Sequence, residues 1–126
     1  AVLKALFEET TAIHLLCAGS EGEFTRDDTL FAGMLVDRLE RMSGLRYELN
    51  AQAITARENW RSAFAPPYSS GAESISPEML AAQLRNSVAG EKLIAAGMEN
   101  DILDAARIDA FSCLPTFDPA SGIIVG

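Results

Sequence analysis

The sequence predicts an all-α protein of about six helices, with duplicated helix–acidic corner–helix hairpins packed as a compact bundle. Three observations lead there. Apolar residues recur at three- and four-residue spacing through most of the chain. Glycines, prolines and capping residues interrupt that rhythm at short intervals. A ten-residue stretch near residue 20 returns near residue 98 without a gap.

The first helix is expected over residues 2–18. Val2, Leu3, Leu6, Phe7, Ile13, Leu16 and Cys17 fall at helical spacing, and Lys4, Glu8, Glu9 and Thr10 occupy the other side. Gly19 is its stop, because glycine accepts the left-handed conformation that closes many helices. Thr25 opens the second helix, over 25–43, with Asp28 as the second half of a capping box. Asp27 and Asp28 lie in its first turn, where negative charge suits the helix dipole. Leu30, Phe31, Met34, Leu35, Leu39 and Met42 form its apolar stripe, and Asp37, Arg38, Glu40 and Arg41 its solvated face. Gly44 ends it. A third helix over 47–64 buries Leu49, Ala53, Ile54, Ala56, Trp60 and Phe64, with Trp60 as a core anchor rather than a stacking platform.

The segment 65–74 carries Pro66, Pro67 and Gly71 among small polar residues and reads as a surface connection between two halves. Ser76-Pro77-Glu78 then starts the fourth helix, with a cap, a proline at the first position and an acid. Met79, Leu80, Leu84 and Val88 are its apolar positions, and Gly90 kinks or ends it. A fifth helix covers 91–97, and a sixth runs from Asp104 to Leu114, where Pro115 closes it. The end of the chain, with Ile123-Ile124-Val125, is an extended tail with no convincing strand. The expected organisation is one helical domain over 1–126, with repeat-like halves of about 1–64 and 76–114 and a tail at 115–126.

Composition bounds the function. An apolar content of 48% in 126 residues supports a core. A net charge of −8 disfavours nucleic acid and anionic membrane surfaces, which reward basic patches. No run of about 18 apolar residues exists to span a bilayer, so membrane insertion is not expected. No basic-then-apolar leader stands at the start. Cys17 and Cys113 are far apart in apolar contexts and read as core cysteines of a reducing, cytoplasmic compartment.

The repeat aligns Leu15-Leu16-Cys17-Ala18-Gly19-Ser20-Glu21-Gly22-Glu23-Phe24 with Leu93-Ile94-Ala95-Ala96-Gly97-Met98-Glu99-Asn100-Asp101-Ile102. Gly22 or Asn100 would make the turn, and Phe24 or Ile102 would plug the corner into the core. Glu21, Glu23, Asp27 and Asp28 gather around the first corner. Closely spaced carboxylates with loop carbonyls can supply the six to eight oxygens that Ca²⁺ takes, or hold another divalent cation. The competing reading is that Asp27 and Asp28 serve the helix start while Glu21 and Glu23 keep the corner solvated. His14 is the single histidine, and with no Ser or Cys at a diagnostic spacing it makes no triad. Zinc-ligand spacings and phosphate-binding glycine loops are absent.

The motif Ser20-Glu21-Gly22-Glu23-Phe24-Thr25-Arg26-Asp27-Asp28, with its degraded copy Glu99-Asn100-Asp101-Ile102-Leu103-Asp104, resembles the corner of the TerB-like domain, named for a tellurite-resistance protein. Glu21 stands where that motif has Asp, and Ala105 and Ala106 stand where a second copy needs acids. The resemblance implies a duplicated all-helical module, cytoplasmic and linked to metal or stress response. The expectation is a non-enzymatic module that binds a divalent cation, a protein partner or a second copy of itself. The alternative is an assembly subunit without a metal site, docked through its apolar tail.

Overall fold

The computed structural model describes residues 1–9, 11–43, 47–64 and 75–126. Its regular structure is predominantly helical, as the apolar rhythm requires. Six helices occur among the described residues: α1 (Val2–Phe7), α2 (Arg26–Ser43), α3 (Ala51–Ala63), α4 (Pro77–Leu84), α5 (Val88–Ala95) and α6 (Glu99–Ala105). Two short strands, β1 (Thr116–Asp118) and β2 (Ile123–Val125), close the chain as an antiparallel hairpin in which Phe117 faces Ile124. The hairpin corrects the expectation of a strandless tail. Asp118 builds its turn by accepting from the Ala120 amide at 3.0 Å and from the amide and hydroxyl of Ser121.

Helix α2 lies along α3, α1 lies on α2, and α6 packs against both α4 and α5. Leu30, Met34, Leu35, Trp60, Phe64, Leu80, Ala81, Ile102 and Ala106 make the core. Trp60 is its anchor, 1% exposed, with its ring 4.5 Å from that of Phe64. Three caps work as their residue types suggest. Asn50, Ser76 and Ser87 accept from the amides of Ala53, Met79 and Gly90, three residues on.

Several boundaries move. The first helix stops at Phe7, and residues 12–19 adopt no helix. Ile13 and Leu15 are half-buried while Ala12, His14 and Leu16 are exposed, a period of two that the helical reading overlooked. Helix α4 ends at Leu84, because Ser87 begins a new helix that carries Gly90 inside it. A Cβ at Gly90 would lie 2.1 Å from the Leu84 carbonyl oxygen, so that glycine serves close packing and not a break. The last helix is Glu99–Ala105, so Asp104 sits within it and not at its cap. Asp37, expected in solvent, is fully buried. Phe31, Met42 and Ile54, expected inside, are exposed. Cys17 and Cys113 are free thiols on the surface, not core residues. The expected stop at Gly44 and the connection at 65–74 lie outside the described residues.

Gly33 sets how closely α2 and α3 approach. A Cβ there would stand 2.1 Å from the Ala56 carbonyl oxygen and 3.0 Å from Trp60 Cβ. Backbone cannot give way as a flexible side chain can, so Gly33→Ala must push the helices apart. The expected cost is about 3 kcal/mol. Urea denaturation should register that loss, and the thermal midpoint should fall by roughly 10 °C.

Candidate functional site

The acidic corner is a hairpin turn. Ser20 and Glu23 exchange two main-chain hydrogen bonds, of 3.0 and 2.9 Å. Glu21 (φ 56°) and Gly22 (φ 81°) both take positive φ, which is the geometry of a type I′ turn. Gly22 makes the turn as its identity suggests, while Glu21 occupies a conformation that glycine or asparagine would hold more easily. Gly19 (φ 69°) is required twice, because a Cβ there would also meet the Glu23 carbonyl oxygen at 2.5 Å.

Asp28, in the first turn of α2, accepts from the Gly19 amide at 2.7 Å. That bond ties the strand-like segment 12–19 to α2 and replaces the capping box, since the Thr25 hydroxyl is buried without a partner. The Cys17 thiol points the same way, 3.7 Å from the Asp28 carbonyl oxygen. Although Cys17 is exposed as a residue, partial burial of its sulfur and the nearby Asp28 carboxylate push the thiol pKa up. Phe24 does not plug the corner. It is 78% exposed, because the turn swings it away from the core.

The repeat therefore holds in sequence and at one backbone position, not in structure. Gly19 and Gly97 share positive φ. The arm before Gly19 is extended whereas the arm before Gly97 is helix α5, and Phe24 is exposed where Ile102 is buried.

The four acids predicted as a cation site are placed differently from one another. Glu21 reaches across to α5, where Lys92 Nζ donates to its carboxylate at 2.6 Å. That hydrogen bond, with the charge of Lys92, holds the Glu21 carboxyl below the usual carboxylate range. Glu23 is exposed. Asp28 is engaged with Gly19. Asp27 is half-buried, and its Oδ1 is buried with no hydrogen-bond partner. Among the described residues, no three His, Cys, Asp or Glu side chains are grouped so as to hold a metal ion between them. His14 is exposed.

Asp27 borders a cavity of about 710 Å³ between α2 and the segment that follows α6. Met34, Leu35 and Trp60 contribute to its apolar floor, and Arg38, Arg107 and Ser112 add polar groups. Arg38 lies 3.6 Å from Asp109, and Arg107 lies 3.1 Å from Asp104. Sequence reasoning missed both arginines and Lys92. Each is an ordinary helix or loop cation in sequence, and only the fold brings it to the cavity or to the corner.

A family model described as 2-phosphosulpholactate phosphatase matches residues 1–119. The chain belongs to that phosphatase family. It is 29% identical over 115 residues to a probable 2-phosphosulfolactate phosphatase of Symbiobacterium thermophilum. The alignment covers 90% of this chain and 42% of the relative, so the chain spans less than half the relative's length. No solved structure matches the chain.

These findings overturn the TerB-like resemblance and the non-enzymatic, stress-response module it implied. The family is one of enzymes. The misleading motif was a glycine turn followed by an acidic helix start, a combination that turn and dipole physics produces in unrelated folds.

The Glu21–Lys92 contact gives a direct check. A carboxylate with a depressed folded-state pKa stabilises the fold above its unfolded value and loses that contribution as pH falls through the folded one. Carbon-detected NMR titration should show Glu21 protonating below the usual carboxylate range. In Lys92→Met the midpoint should return upward, and the acid-side loss of stability should shrink accordingly.

Proposed function

We propose that this chain takes part in hydrolysing a phosphate monoester of the 2-phosphosulfolactate type, with the Asp27 end of α2 facing the reacting phosphate. The observation that carries the reading is the family match over residues 1–119. The Symbiobacterium relative carries the same substrate in its name. In the reaction, water attacks phosphorus, the bond from phosphorus to the ester oxygen breaks, and that oxygen takes up a proton as inorganic phosphate leaves.

Such a substrate bears phosphate, sulfonate and carboxylate groups. A chain of net charge −8 needs local positive charge to hold it. Arg38 and Arg107 beside the cavity supply some, and guanidinium forks suit such oxyanions. A divalent cation is the other part of the proposal. Mg²⁺ is commonly held by one or two protein carboxylates together with substrate phosphate, and does not need a cage of protein ligands. The unpartnered buried oxygen of Asp27 fits that requirement. Asp28, next to it in the first turn of α2, offers the oxygen that the Gly19 amide leaves free, while Glu21, paired with Lys92, and the exposed Glu23 stay outside the proposed set. When bound, such a cation would offset charge on the phosphoryl oxygens. Asp27 itself would orient the cation or the attacking water.

Among the described residues no helix is long and apolar enough to cross a membrane. A cytoplasmic setting forms part of the proposal.

The test is inorganic phosphate release from 2-phosphosulfolactate in the presence of magnesium. The unsubstituted chain should release phosphate, and Asp27→Asn should lower kcat/KM by roughly 100-fold with its melting temperature preserved. Arg38→Met should act mainly on KM. A chain that leaves the compound intact, or an Asp27→Asn variant as fast as the unsubstituted chain, overturns the reading.

A further inference from the structure

Residues 12–18 belong to no helix or strand, exposure alternates along residues 12–16 with the period of a β-strand, and among the described residues no strand lies beside them. Leu15 packs on the core and Ile13 is half-buried, while Leu16 is 98% exposed. Among the described residues, the segment's main chain makes no hydrogen bond to another main-chain group. Native sheets protect such edges with lysine, proline, bulges or inward charge. This segment, Thr11-Ala12-Ile13-His14-Leu15-Leu16-Cys17-Ala18, has no lysine, no proline and no acid. It is nevertheless held firmly at its end, where the Gly19 amide meets Asp28 and the turn at 20–23 leads into α2. A pinned, apolar, unguarded strand edge is shaped to receive another strand.

We infer that residues 11–18 pair with an apolar β-strand from the part of the family's polypeptide that this chain does not match. Two observations choose that occupant over a second copy of the chain. Acids stand at both ends of the segment, Glu8 and Glu9 before it and Glu23 after it, while Glu21 is already paired with Lys92. Two copies paired in parallel would set Glu8 and Glu9 against their own counterparts, which is unfavourable across paired strands. A strand with basic or neutral flanks meets no such penalty. The relative is also more than twice as long as the stretch it shares with this chain, so the family's polypeptide has length to supply that strand. The inference rests on family membership and not on the hydrolytic reading.

The experiment uses the full chain with synthetic peptides of about 15 residues that tile the unmatched part of the Symbiobacterium relative, a length that covers a typical strand with flanks. Amide hydrogen exchange over residues 11–18 is the readout, with maleimide labelling of Cys17 in a Cys113→Ser background beside it. The chain alone should exchange quickly over 11–18. An apolar peptide with lysine or arginine near its ends should slow that exchange and the Cys17 labelling by at least tenfold. Leu16→Asp should cancel the protection while melting as the unsubstituted chain does, because Leu16 touches almost nothing in the fold. Failure of every peptide to protect the segment overturns the inference. So does protection that survives Leu16→Asp. A chain that is dimeric alone with 11–18 already protected overturns it in favour of a second copy. None of these readouts measures phosphate release, so this inference and the hydrolytic reading fail separately.

Discussion

The buried carboxylate of Asp37 is the constraint around which the two long helices are arranged. It has no exposed surface, yet it sits on α2 among leucines and valine. Its two oxygens are taken by Arg61 Nε of α3 at 2.6 Å and by Arg41 Nε one turn on at 2.9 Å. Glu40 extends the network, accepting from Arg57 at 2.8 Å and from Arg61 at 3.3 Å. A charge removed from water is tolerated only when it is paired and hydrogen-bonded, so the network fixes the rotation of α2 against α3 as well as their contact. Gly33 completes the fit from the other direction by letting the helix backbones meet.

With α2 fixed along its middle, its N-terminal turn is fixed too. That turn carries Asp27 and Asp28, and each does a different thing. Asp28 spends an oxygen on the Gly19 amide and so orients the strand-like segment before the corner. Asp27 keeps a buried oxygen without a partner at the edge of the cavity. The basic groups of the corner and of the cavity come from elsewhere in the chain: Lys92 of α5 meets Glu21 at the corner, and Arg38 from the middle of α2 and Arg107 from just past α6 line the cavity.

The corner motif of residues 20–28 reflects local physics and not ancestry. A glycine in a turn, an apolar residue and two acids at a helix start follow from local physics, and local physics recurs. Residues 12–19 are ambiguous for the same reason. Leucines at 15 and 16 match a helical stripe and a strand equally well over so few residues. The alternation of half-buried Ile13 and Leu15 with exposed Ala12, His14 and Leu16 is the signal against a helix there.

The sequence by itself determined the helical class, the helix start at Ser76, the core role of Trp60, and the turn at Gly22. Each of these depends on residues within a few positions of one another, so local chemistry is enough to specify it. Only the tertiary structure decided that Asp37 is buried, that Phe24 faces solvent, that Lys92 binds Glu21, and that Arg38 and Arg107 border the cavity beside Asp27. Those outcomes depend on which distant elements meet, and no spacing within one helix encodes that. The acidic corner of residues 20–28 sits on the boundary between the two. Its turn and its helix start are local, and the separate fates of its four carboxylates are not.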